Sequence, residues 1–311
     1  MSGTRRTLLT RLPAWAAALC WTPWAAAQAA RAVVGKPIPS SGEAIPVVGL
    51  GTWITFNVGN DRVAQDACAE VMQAFFAAGG RLIDSSPMYG SAQATIGHGL
   101  ARLGANKPPL FAAEKVWISS NPGDQRGPQQ IEQSRRLWGL PKFDLLQVHN
   151  LLDWEVHLPT LLAMKAAGRL RYVGVTTSEG RRHRDIETLL RSQPLDFVQL
   201  SYNPLDREAE QRLLPLAAER GIAVIANRPF REGALLKALQ RHPLPAWAAS
   251  ELGCDGWAQL VLKYIVAHPA ITCAIPATSS VAHVRQNLGA ARGAMPDAAL
   301  RQRIAAHIAA L

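Results

Sequence analysis

Cysteine is scarce in this chain of 311 residues, with Cys20, Cys68, Cys254 and Cys273 as the whole supply and no C-x-x-C pair among them. Cys20 falls in an N-terminal stretch that reads as a leader, and the odd number remaining, with no C-x-x-C, argues against a disulfide framework and a cysteine zinc site. Nor is there a His-x-His or carboxylate cluster with ligand spacing, which argues against a metal hydrolase. Long apolar runs are missing too: the stretch from Leu12 to Trp24 is broken by Pro13 and Pro23 and falls short of the roughly 20 residues of a membrane span. The basic run Arg181-Arg182-His183-Arg184 has no interleaved aromatics and no nucleic-acid motif around it, so it reads as a solvated helix start and no nucleic-acid partner is expected. No repeat of solenoid period is visible.

Acidic residues are outnumbered, 23 against 33 Lys and Arg, for a net charge of +10. Arg5, Arg6 and Arg11 contribute three of those charges and leave +7 on the rest, a moderate excess that suits a phosphate-bearing small ligand. The first of these arginines lie in Ser2-Gly3-Thr4-Arg5-Arg6-Thr7-Leu8-Leu9, a twin-arginine n-region, and Ala25-Ala26-Ala27 before Gln28 offers an A-x-A cleavage site. Residues 1–29 are therefore expected to be a twin-arginine signal peptide and residues 30–311 a single domain, periplasmic after processing and cytoplasmic if the leader is unused. No stable membrane insertion is expected of the processed protein. Oligomeric state is not legible.

With 48% hydrophobic residues the chain can bury a sizeable core. After a Pro-rich linker from Gly35 to Pro46, apolar runs of strand length alternate with helix-period segments. The strand candidates are Val47 to Trp53, Arg81 to Ser85, Leu110 to Val116, Phe143 to His149, Tyr172 to Thr176, Phe197 to Tyr202, Ala223 to Asn227 and Thr272 to Pro276. Helical patterns fall near residues 62–78, 91–104, 128–139, 157–168, 183–192, 207–220, 256–267 and 280–291, with a last one at Ala298 to Ala309 and an irregular insertion from Arg231 to Gly256. Strict alternation implies a parallel sheet, and eight units in about 250 residues match an α/β fold of the (β/α)₈ barrel kind. A doubly wound sheet is the runner-up. Against it, Gly49-Leu50-Gly51-Thr52-Trp53-Ile54 supplies only two glycines of a G-x-G-x-x-G turn.

Barrel active sites form at the C-terminal ends of the strands. Asp84, Lys115 and His149 end the second, third and fourth strands, and Tyr89 follows the second in a loop stiffened by Pro87. Alone, an Asp after a strand is a turn former and a Tyr is a packing residue. Together the four suit carbonyl reduction, in which charge left on oxygen must be held and protonated. A phenol with a pKa near 10 is a poor acid at neutrality unless a cation lowers that value, a role for Lys115 with Asp84 as its buried counter-ion. His149 can orient the substrate oxygen.

At these residues the chain resembles the aldo-keto reductases. The likeness runs from Val48-Gly49-Leu50-Gly51-Thr52-Trp53 to Ile275-Pro276-Ala277-Thr278 and Asn287, and the family's Asp, Tyr, Lys, His tetrad matches Asp84, Tyr89, Lys115 and His149 with gaps of 5, 26 and 34 residues. The resemblance implies reduction of a small carbonyl substrate with NADP, or NAD. Thr176 and Thr177 stand where the family's Ser-Asn pair holds the carboxamide, and Gln199 where it has its glutamine. Asn227, followed by Arg228-Pro229-Phe230, takes the place of the aromatic that stacks on nicotinamide. Thr52 and Arg228 join the implied cofactor site, with Pro276, Thr278, His283 and Asn287 at its adenine-phosphate end. There Ala277 and His283 replace a lysine and an arginine. Trp53 and Trp117 are the substrate-wall candidates. A cofactor-binding redox sensor with little turnover is the alternative.

Overall fold

In the computed structural model, which describes residues 32–104, 109–178 and 180–311, all eight expected strands are present. The leader reading of residues 1–29 lies outside the described residues. Two short strands come first, β1 (Gly35–Pro37) and β2 (Ala44–Pro46), paired antiparallel. This hairpin replaces the expected Pro-rich linker. Its Ile38 and Ile45 are fully buried, packed with Leu82, Phe111, Leu145, Tyr172 and Phe197 inside the barrel, so the hairpin plugs the end opposite the strand C-termini. Lys36 pins it by donating to the carbonyls of Val266, His268 and Ile271, each at 2.7 Å. The linker reading failed because three-residue strands capping a barrel have no periodicity to read.

The barrel strands are β3 (Leu50–Gly51), β4 (Leu82–Asp84), β5 (Phe111–Val116), β6 (Leu145–His149), β7 (Tyr172–Thr176), β8 (Phe197–Ser201), β9 (Ala223–Asn227) and β10 (Cys273–Ala274). All neighbours pair in parallel, in chain order. Parallel bridges from Val48 to Ala274 and from Gly51 to Ala277 close the sheet on itself, which decides for the (β/α)₈ barrel over the doubly wound sheet. The seam depends on glycine. A Cβ at Gly51 would lie 2.7 Å from the Ile275 carbonyl oxygen, closer than real Cβ contacts come.

Between the strands run α1 (Arg62–Ala77), α2 (Ala92–Leu103), α3 (Arg126–Trp138), α4 (Trp154–Ala166), α5 (His183–Ser192) and α6 (Leu213–Glu219). The insertion forms α7 (Ala234–Leu239) and α8 (Ala246–Leu252), followed by α9 (Trp257–Val266), α10 (Val281–Gly289) and α11 (Ala298–Ala309). Asp61 caps α1, its Oδ1 accepting from Val63 and Ala64 N–H at 2.9 and 3.2 Å. The pattern over 207–220 splits into a 3₁₀ turn at Glu208–Glu210 and the shorter α6. One apolar cluster, from Val47 to Ile308, fills the layer between sheet and helices. No helix among the described residues is long and apolar enough to cross a membrane.

Candidate active site

Strand stagger assembles the site. Asp84 pairs with Ala113, so Lys115 stands two residues further along β5; Lys115 pairs with Gln147, so His149 stands two further along β6; His149 pairs with Thr176, and Thr176 with Gln199. Steps of two keep every one of these side chains on the inner face of the barrel, at its C-terminal mouth.

Lys115 and Asp84 form a buried ion pair, Nζ to Oδ2 at 2.6 Å, and Nζ also donates to the Ser85 carbonyl at 2.7 Å. Burial pulls the Lys115 ammonium down, but the Asp84 carboxylate leads a set of neighbours that more than offsets it, so its pKa lies above the ordinary lysine value. The ammonium sits 5.2 Å from the centroid of the Tyr89 ring. For that phenol the outcome differs from expectation: burial raises its pKa, and the downward pull of Lys115 is outweighed. The phenol is held protonated rather than poised to ionise.

His149 faces Tyr89 edge-on, with ring centroids 5.8 Å apart. Burial first, then the nearby Lys115 charge, lowers its pKa to about 3, so the imidazole is neutral. Its Nδ1 lies 2.7 Å from Ser86 Oγ. The expected carboxamide residues form a hydrogen-bonded chain that reaches the ion pair. Gln199 Nε2 donates to Asp84 Oδ1 at 2.9 Å, while Thr176 Oγ1 donates to Gln199 Oε1 at 3.0 Å. Asn227 is held rigidly, accepting from Ser201 Oγ at 2.8 Å and donating to the Thr177 carbonyl at 3.0 Å. It forms a polar wall, and Phe230 lines the same cavity.

That cavity, of about 650 Å³, opens over the mouth. Asp84, Tyr89 and His149 line one part with Trp53; Thr52, Thr176, Gln199, Asn227 and Arg228 line the middle; Thr278, His283 and Asn287 line the far part. Four expected residues do not line it. Lys115 is fully buried behind Tyr89 and Asp84, and Thr177 lies under Asn227. Pro276 is buried with its carbonyl accepting from Gly51 N–H at 3.0 Å, part of the barrel seam. Trp117 stays at the rim, its ring 6.5 Å from His149 and its backbone tied to the Gln130 amide. Trp53 packs on Tyr89 with centroids 4.9 Å apart. Ser280 caps α10 by accepting from His283 N–H at 3.4 Å.

Sequence reasoning missed Ser86, and also Asn150, whose Oδ1 is buried at the cavity wall without a hydrogen-bond partner among the described residues. It also missed Glu114, fully buried on the outer face of β5. Position beside a strand-end His was the one available signal for Asn150; for the other two there was none.

A profile described as the Aldo/keto reductase family matches residues 47–302. Among curated proteins, the chain is 27% identical over 258 residues to methylglyoxal reductase YeaE of Escherichia coli (strain K12), spanning 81% of this chain and 88% of that one. It is 26% identical over 290 residues to a probable NAD(P)H-dependent D-xylose reductase of Emericella nidulans, spanning 80% and 86%. A crystal structure of an aldo-keto reductase from Klebsiella pneumoniae in complex with NADPH superposes with a TM-score of 0.73 at 23% identity, covering 88% of this chain and 95% of that one. That likeness is one of fold.

Proposed function

The chain belongs to the Aldo/keto reductase family, and from that premise we propose that it reduces a small aldehyde or ketone with NADPH as donor, NADH also being accepted. The observation that carries the reading is the buried Lys115–Asp84 pair against the Tyr89 ring, with a neutral His149 across the same cavity. The nicotinamide, when bound, supplies a hydride to the carbonyl carbon. Charge then grows on the carbonyl oxygen, and the chain's own groups answer it. His149 holds that oxygen through a ring N–H. Tyr89 gives it the phenolic proton, which its raised pKa keeps in place until a more basic oxygen is present. Lys115 stabilises the phenolate left behind, and Asp84 keeps that ammonium charged. Trp53 forms the apolar wall for the substrate, with Trp117 at the rim.

The cavity residues fit a dinucleotide. Thr176, Gln199 and Asn227 offer amide and hydroxyl groups at the nicotinamide end, with the Thr177 carbonyl holding Asn227 from beneath, and Thr52 closes that end just after β3, its Oγ1 donating to the Asp84 carbonyl at 2.9 Å. Among the described residues, Arg228 is the one guanidinium lining the cavity, and no lysine lines it. Thr278, His283 and Asn287, with Pro276 beneath them and the Ser280-capped start of α10, would hold the adenine-side phosphate. Relatives named for methylglyoxal and D-xylose define the first substrates to try.

The test is NADPH oxidation, followed by absorbance, with a panel of aldehydes and ketones. Tyr89→Phe is expected to abolish turnover while leaving the NADPH Kd within about a few-fold, because the phenol acts only in the chemical step. Equal loss of binding and rate would refute the acid role. Tight NADPH binding with no turnover on any carbonyl would turn the reading to a redox sensor. We also propose that residues 1–29 direct twin-arginine export and that residues 30–311 form the exported domain, on the strength of Arg5-Arg6 and the Ala25-Ala26-Ala27 site. Fractionation with N-terminal sequencing tests this; an uncleaved cytoplasmic protein would overturn it.

A further inference from the structure

Ser86 is fully buried in the turn between Asp84 and Tyr89, and its two oxygens hold both halves of the proposed acid site. The carbonyl accepts the Tyr89 N–H at 3.0 Å, and the hydroxyl meets His149 Nδ1 at 2.7 Å. The same hydroxyl oxygen accepts the Met88 N–H at 3.2 Å. We propose that Ser86 is a positioning residue that fixes His149 in the tautomer with its proton on Nε2, the nitrogen left to the cavity. The inference rests on the reading of His149 as the group that orients the carbonyl.

A buried hydroxyl needs an acceptor for its proton. Two arrangements of the contact exist. If the imidazole proton sat on Nδ1, Ser86 Oγ would accept from both the ring and Met88, and its own O–H would have no acceptor among the described residues at a site with 0% exposure. A buried donor without a partner is disfavoured. If instead Ser86 donates to Nδ1, every polar atom in the contact is satisfied: Met88 N–H gives to Oγ, Oγ–H gives to Nδ1, and the ring proton is on Nε2. The doubly protonated ring is disfavoured by burial and by the Lys115 charge. The tautomer matters for rate, because an Nε2–H donates to a carbonyl oxygen whereas a bare Nε2 turns a lone pair toward one. Because the Tyr89 backbone hangs from the same residue, one turn sets the acid and the orienting ring relative to each other.

The experiment reads the tautomer directly, in the resting full chain. Long-range ¹H–¹⁵N spectra of the ¹⁵N-histidine protein, with the His149 signal assigned by its loss in His149→Gln, are expected to show a bare Nδ1 and a protonated Nε2. Ser86→Ala is expected to give a mixed or reversed pattern and to lower kcat by about tenfold or more with the NADPH Kd unchanged. Ser86→Thr, which keeps the hydroxyl, is expected to recover the wild-type pattern. A proton on Nδ1 in the wild type overturns the proposal even if no variant folds. An unchanged pattern in a folded Ser86→Ala protein overturns it as well. Because the spectra need no substrate, failure of carbonyl turnover would refute the proposed function separately and leave the tautomer result standing on its own.

Discussion

Replacing Glu114 by glutamine should change the pH dependence of stability in a way that can be worked out beforehand. Glu114 precedes Lys115 on β5 but points to the outer face, where Gln93 Nε2 of α2 and Trp138 Nε1 of α3 donate to Oε2 at 2.9 and 2.8 Å. The Lys115 N–H donates to Oε1 at 2.8 Å. No salt bridge to a cation accompanies these bonds among the described residues. Burial therefore dominates, and it raises the carboxyl pKa from 4.5 to about 7 against the opposing hydrogen bonds and the Lys115 charge. Between those two values the folded protein keeps a proton that the unfolded chain releases, so stability is greatest below the lower value and declines as pH rises to the upper one. A pKa difference of one is worth about 1.4 kcal/mol, which makes the total loss about 3 kcal/mol, with roughly 2 to 3 kcal/mol of it falling between about pH 5 and pH 8. Glu114→Gln carries no proton to lose. Urea unfolding of both proteins across that range should show the variant gaining by the same amount relative to wild type, on top of a constant offset from placing an amide NH₂ among three donors. A difference flat to within about 0.5 kcal/mol would refute the assignment of Glu114 as a buried, proton-holding carboxyl.

Lys115→Met should abolish turnover and destabilise the fold by about 3–5 kcal/mol, since it leaves Asp84 buried without its cation; near-normal activity at neutral pH would refute the account of the stabilised phenolate. His149, lowered from 6.5 to about 3, stays neutral in the working range, so kcat/KM should show no limb near the ordinary histidine pKa. The stability gained by keeping it neutral is present above 6.5 and is lost as pH falls toward 3. A limb near 6.5 that disappears in His149→Gln would contradict this. Ala277→Lys, at an exposed position beside Thr278, should raise the preference for NADPH over NADH by about tenfold through a charge-assisted bond to the 2′-phosphate. An unchanged ratio of the two dissociation constants would place that phosphate elsewhere.

Much of this protein could be read from the order of its residues. The eight strand and helix alternations were legible because burial on both sides of a parallel strand demands continuous apolar runs, as in Ala223 to Ala226, while the outer helices keep a period of 3.6. Asp84, Lys115 and His149 stood out because each ends such a run with a charged or titratable group. Tertiary structure alone decided the rest. It turned Gly35 to Pro46 into a plug, because the pairing of Gly35 with Pro46 is specified by the barrel floor it fills. The stagger brought Gln199 to Asp84 across 115 residues and Ser86 to His149 across 63. The direction in which the Tyr89 pKa moves was settled there as well, burial outweighing a cation that the sequence had correctly placed beside it. The physical reason is common to all of these. Apolar periodicity is a local property written along the chain, whereas desolvation and hydrogen-bond partnership belong to the set of atoms around a group, and that set is assembled only when distant strands close into a barrel.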